Sequence, residues 1–142
     1  MRRIVPIIAL LIAAAFHTGA LACSCRPLAN AAEHAGQADT VFRGRVLTSI
    51  PDPADPEAFA VTTFEVTAPL KMLPRWSHPD TITVRHASRR EGPECSIWYE
   101  DGQEALVVAR IGGDGYLYTS SCDAPRWPEN DYRAALFLAP VP

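Results

Sequence analysis

The chain has 142 residues, with 13 lysines and arginines against 16 aspartates and glutamates, a formal net charge of −3 and 48% hydrophobic residues. That acidic balance, with no basic cluster beyond Arg89-Arg90 once the Arg2-Arg3 start is set aside, argues against a nucleic-acid partner or an anionic membrane surface. The length accommodates one compact domain with its own core.

Met1-Arg2-Arg3 is followed by an apolar run over residues 4–16, broken only by Pro6, and then by the small-x-small site Ala20-Leu21-Ala22. A basic start, a short apolar run and a small-residue cleavage site mark residues 1–22 as a secretory signal peptide. The run is about 13 residues long, against the roughly 20 that a membrane span needs, so no transmembrane segment is expected. Arg2-Arg3 lacks the flanking residues of a twin-arginine signal, which favours general secretion. The alternative is a lipoprotein signal with an acylated Cys23. That motif places leucine three residues before the cysteine and a small residue two before it, whereas Ala20 and Leu21 stand the other way round. Cleavage before Cys23 leaves residues 23–142 as the mature domain, extracellular or periplasmic. Its 11 basic side chains face 16 acidic ones, a net charge of about −5.

All four cysteines, Cys23, Cys25, Cys95 and Cys122, fall in the exported part, where two disulfides are the expected use. A Cys23–Cys25 bridge would close a small strained ring; the two other connectivities remain open. Either one ties the amino terminus to distant parts of the chain, and each long loop would contribute roughly 4 kcal/mol in the chain-entropy picture. A four-thiolate zinc site normally shows two close pairs, and only one is present.

In chain order, residues 27–36 are rich in alanine and end at Gly36, which predicts a short helix with a glycine stop. Alternation then predicts a strand in which Val41, Arg43 and Arg45 face one way and Phe42, Gly44, Val46 and Ile50 the other. Residues 51–57, with three prolines and three acids, predict an exposed loop. A second strand is expected over residues 60–70 and, after a proline-rich bend, a third over 81–86 with Ile82 and Val84 on one face. Residues 87–98 hold Gly92, Pro93 and Cys95 and read as a tethered loop. A buried fourth strand is expected over 104–111, a turn at Gly112-Gly113-Asp114-Gly115, a fifth strand over 116–122 and a helix over 129–138. Five short strands with a late helix point to a mainly β fold, a small closed or partly open barrel rather than a parallel sheet.

The chemistry-bearing residues do not compose an active site. His34, His78 and His86 lack metal-ligand spacing, the cysteines are committed to bridges, and Ser120-Ser121 lacks a nucleophile elbow. Neither an enzyme nor a bound cofactor is expected. Trp76, Trp98 and Trp127 fit half-buried packing.

Cys23-Ser24-Cys25-Arg26-Pro27, the alanine-rich segment, residues 38–46 (Ala-Asp-Thr-Val-Phe-Arg-Gly-Arg-Val), Cys95 and residues 116–122 (Tyr-Leu-Tyr-Thr-Ser-Ser-Cys) together resemble the amino-terminal domain of the tissue inhibitors of metalloproteinases, a netrin-like module. The resemblance implies bridges Cys23–Cys95 and Cys25–Cys122. It also implies a five-stranded barrel of the oligonucleotide/oligosaccharide-binding type with a short amino-terminal and a carboxy-terminal helix. The implied partner is a zinc metalloendopeptidase, met by an inhibitor that is expected to be monomeric. In that pattern Ser24 enters the protease's primed-side pocket, and Pro27, Pro93, Glu94 and Ser96 flank the inhibitory wedge.

The residues themselves supply a mechanism. After cleavage the α-amine and carbonyl oxygen of Cys23 form a bidentate group that can displace the exchangeable water of a catalytic zinc. The amine must be neutral to bind, and its ordinary pKa of about 7.7 to 8.0 makes proton and metal compete near neutral pH. The contrasting expectation is a non-inhibitory netrin-like binding module, secreted or lipid-anchored at the cell envelope, that holds another protein on its barrel surface.

Overall fold

The computed structural model describes residues 23–76, 79–88 and 96–138. The expected signal peptide, His78, Arg89-Arg90, Pro93, Glu94 and Cys95 lie outside the described residues. The elements are α1 (Ala31–Gln37), β1 (Thr40–Pro51), β2 (Phe59–Lys71), a 3₁₀ turn (Pro74–Trp76), β3 (Thr81–Ala87), β4 (Glu104–Ile111), β5 (Leu117–Tyr118) and α2 (Glu129–Ala135). The strands close into a barrel in the order β1-β2-β3-β5-β4, so the protein is mainly β with two short helices. Every pairing is antiparallel except β3 with β5, where Val84 and Arg85 lie beside Leu117 and Tyr118. Among the described residues no helix is long and apolar enough to cross a membrane.

The barrel interior is filled by Phe42, Val46, Phe64, Ile82, Val84, Tyr99, Val107 and Leu117. Phe42 and Phe64 meet edge to face at 5.6 Å between ring centroids, and Phe64 meets Tyr99 likewise at 5.0 Å. Burying each such side chain stabilises the fold by about 1.5–3 kcal/mol. The opposite face of β1 and β4 presents Val41 and Val108, which pack with Leu70 under α1 (Ala31, Ala35) and α2 (Tyr132). The helices are tied down by charge as well. Arg43 Nε donates to Glu129 Oε2 at 2.7 Å, and the Lys71 ammonium donates to the Ala35 carbonyl at 2.9 Å and to that of Ala38, covering the carboxyl end of α1.

Several expectations are corrected. Helix α1 begins at Ala31 because Asn30, not Pro27, caps it: the Asn30 side chain accepts from the Glu33 amide at 2.8 Å. Gly36 lies inside that helix rather than ending it. Ile50 is 47% exposed instead of interior, because a register shift between Val46 and Thr48 reverses which side of β1 faces the core. Strand β5 is two residues long rather than seven. Beyond Tyr118, Thr119 turns its hydroxyl onto the Val108 carbonyl at 2.9 Å, and Ser120 begins a turn.

Gly44 faces inward where β1 crosses β2. A Cβ there would stand 3.0 Å from the Glu65 carbonyl oxygen, from Phe42 Cε2 and from Phe64 Cβ. Because one of those atoms is backbone, little can yield. Gly44→Ala is expected to lower stability by about 1–3 kcal/mol in urea denaturation; an unchanged midpoint would contradict the inward placement of Gly44.

Candidate functional site

Residues 23–29 carry no regular secondary structure. Cys23 and Cys25 are half-buried, while Ser24, Arg26 and Pro27 are exposed. Cys25 and Cys122 form a disulfide with their Cα atoms 5.2 Å apart, the pairing that the resemblance implies. The following residues are held from the other side: Glu33 Oε2 accepts from the Ala29 amide at 2.8 Å, and Glu33 Oε1 lies 3.6 Å from the Arg26 guanidinium. The segment is therefore clamped between the turn after β5 and the first turn of α1, with Ser24 projecting from it. Ser96 is half-buried. Glu94 and Cys95, the expected flank and the expected partner of Cys23, are among the undescribed residues, so the structure does not place the whole expected wedge together.

The two described histidines that the sequence offered as weak metal candidates are core residues in separate places. His34, on α1, is 3% exposed, and its Nδ1 lies 2.7 Å from the Tyr132 hydroxyl of α2. Burial holds its pKa below the ordinary value; Asp123 opposes that shift, and Arg126 and Arg110 add to it. His86, on β3, is 1% exposed. Its Nε2 lies 2.8 Å from Thr62 Oγ1, which lies 2.8 Å from Ser49 Oγ. Burial lowers the His86 pKa too, against a raising contact with the Ala87 carbonyl. Trp98 and Tyr99 stand edge-on to the His86 ring, and Trp127 edge-on to that of His34. Among the described residues no three His, Cys, Asp or Glu side chains gather as a metal would require.

A polar node that sequence reasoning missed centres on Arg85. Its guanidinium donates to Asp52 in the β1–β2 loop and, at 2.8 Å, to the Tyr118 hydroxyl, and it lies 3.3 Å from Asp114 in the β4–β5 turn. It also sits over the rings of Phe59, Tyr116 and Tyr118, at 4.6, 5.2 and 5.7 Å from their centroids. Asp52 is thus buried and paired, a correction to the solvated loop expected over residues 51–57. Its carboxyl is held below the usual range, chiefly by the Ala54 amide and further by Arg85. The signal available in the sequence was one outward arginine on β3 and one acid in each of two turns. Every partner of Arg85 is a structural one, so the node braces the barrel end.

No protein-family model matches the chain, and no characterised protein matches its sequence.

Both buried histidines have a folded-state pKa below the value of 6.5 that each takes when unfolded. Between the two values the unfolded chain binds more protons, so stability is full above pH 6.5 and is lost as the pH falls through that window. The urea midpoint is expected to decline on acidification below pH 6.5, and to decline less in His86→Gln once normalised to its own value at pH 7.5. A midpoint that rises on acidification would contradict the buried, neutral state of these rings.

Proposed function

We propose that the mature chain is an exported inhibitor of a zinc metalloendopeptidase that chelates the protease zinc through the α-amine and carbonyl oxygen of Cys23. The observation that carries this reading is the clamp on residues 23–30: the Cys25–Cys122 bridge on one side and the Asn30–Glu33 cap on the other. A chelating terminus needs such a clamp, since a loose one would lose its ordering entropy on binding. The exposed Ser24, next in sequence to the chelating residue, is available to a pocket beside the zinc, and its small hydroxyl suits several pockets. A bridge from Cys23 to Cys95 would complete the wedge and bring Glu94 and Ser96 to its flank. The strand order β1-β2-β3-β5-β4 with its one parallel pair supports a barrel of the oligonucleotide/oligosaccharide-binding type. That type is used here as a rigid mount and not for nucleic acid, since the mature chain is acidic.

Zinc chelation requires a neutral amine, so inhibition should strengthen as the pH rises toward and past about 8. The defining comparison is the native protein against a form with one alanine added before Cys23, assayed on a panel of zinc endopeptidases. The added residue moves the amine off the metal and should weaken inhibition by at least a hundredfold, while circular dichroism stays unchanged. Equal potency of the two forms, or no inhibition by the native form of any panel member, would favour the non-inhibitory binding module instead.

A further inference from the structure

Behind the Cys25–Cys122 bridge lies a cavity of about 70 Å³, lined by Arg26, His34, Gln37, Arg110, Cys122 and Asp123 among others. Among its polar groups is the imidazole of His34, whose Nε2 is buried and has no hydrogen-bond partner among the described residues. The tautomer follows from the other nitrogen. The Tyr132 oxygen receives the backbone amide of Arg126 at 3.4 Å, so its hydroxyl proton is left to donate to His34 Nδ1 at 2.7 Å. With Nδ1 accepting, a neutral His34 carries its proton on Nε2, a buried donor with no acceptor among the described residues. A buried donor left unpaired destabilises the fold, so the fold gains whenever an acceptor enters.

The rest of the lining determines which acceptor. Arg26 and Arg110 bring two guanidinium groups and Gln37 an amide. The one carboxylate, Asp123, is already engaged through both oxygens, with Arg110 at 2.7 Å and with Ser120 Oγ at 2.6 Å. Among the described residues Arg26 is held by a 3.6 Å contact to Glu33, and its side chain is 76% exposed, with room to turn its donors inward. At about 10–15 Å³ for each water-sized site, the space admits a group of about five non-hydrogen atoms.

We propose that this cavity is a binding site for a small oxyanion, a carboxylate or a phosphate, which accepts from His34 Nε2 and is neutralised by Arg26. The proposal is independent of zinc chelation, since it rests on the wall behind the bridge and not on the amine of Cys23.

The test is a titration of the mature protein with sodium acetate and, separately, sodium phosphate at pH 7.5 and constant ionic strength. It follows the His34 Nε2–H resonance by proton–nitrogen NMR and the thermal midpoint in parallel, with neutral acetamide as the control. A saturable shift with either oxyanion is expected, together with a matching rise in the thermal midpoint and no response to acetamide; the arm that responds identifies the oxyanion. Arg26→Gln, at an exposed position outside the core, should weaken the apparent affinity at least fivefold. His34→Phe, which keeps the ring contacts, should abolish the rise in midpoint. The proposal is overturned if neither oxyanion saturates, if acetamide acts equally, or if Arg26→Gln binds as the native protein does. Each of those results would mean that the cavity holds water or an adventitious ion only.

Discussion

The bridge between Cys25 and Cys122 is the constraint that fastens residues 23–29, which have no regular structure, to the end of the barrel. It spans 97 positions of sequence, so in the chain-entropy picture it removes about 4–5 kcal/mol of freedom from the unfolded chain. Its local effect matters more. Residues 23–29 have no ladder or helix to hold them, and the cap of α1 reaches back only as far as Ala29 and Arg26. The bridge fixes Cys25 next to Ser24, and Cys122 forms part of the wall of the cavity beside His34. With it, a segment that could not order itself becomes part of a rigid end of the barrel.

That end needs its own bracing, because β5 contributes only two residues to the parallel seam with β3. Two features compensate. Thr119 extends the seam through its amide to the Arg85 carbonyl at 3.0 Å and through its hydroxyl to Val108, which delivers the chain to Cys122 in a fixed place. Arg85 then links the loops on either side, through Asp52, Asp114 and three aromatic rings. Burial of the arginine side chain and of Asp52 gives the site few alternative arrangements, while Asp114 closes it from the exposed side. The same division of labour runs through the molecule. An apolar interior closes the barrel, a second apolar layer attaches the helices, and single charged contacts such as Arg43–Glu129 set where each element docks.

Strands were legible wherever alternation was uninterrupted. Residues 104–111 coincide with β4, β2 is longer than expected by a residue at each end, and β3 is longer by one residue at its carboxyl end. Alternation failed at Ile50, because a one-residue register shift is set by pairing across to β2 and leaves no mark in β1 itself. The start of α1 was misplaced for a local reason: proline is accepted in a first helical turn and Leu28 and Ala29 favour helix, and the cap hydrogen bond to Asn30 sets the start instead. Gly36 was read as a stop, yet tertiary packing of Ala31, His34 and Ala35 carries the helix through it. At the candidate site, the use of cysteines in a bridge was legible from composition, while the Cys25–Cys122 pairing came only from resemblance to a known arrangement. The partnership of His34 with Tyr132, 98 residues apart, and the gathering of Asp52 and Asp114 on Arg85 are products of barrel closure, for which a single sequence holds no local signal.

The proposed chemistry turns on a single group, the amine of Cys23, and the mass of the exported protein reports on it directly. Intact mass spectrometry of the non-reduced protein secreted by an expressing cell should give the mass of residues 23–142 less four hydrogens, with no further addition. A retained residue before Cys23, or an acyl group on it, would contradict zinc chelation by this terminus.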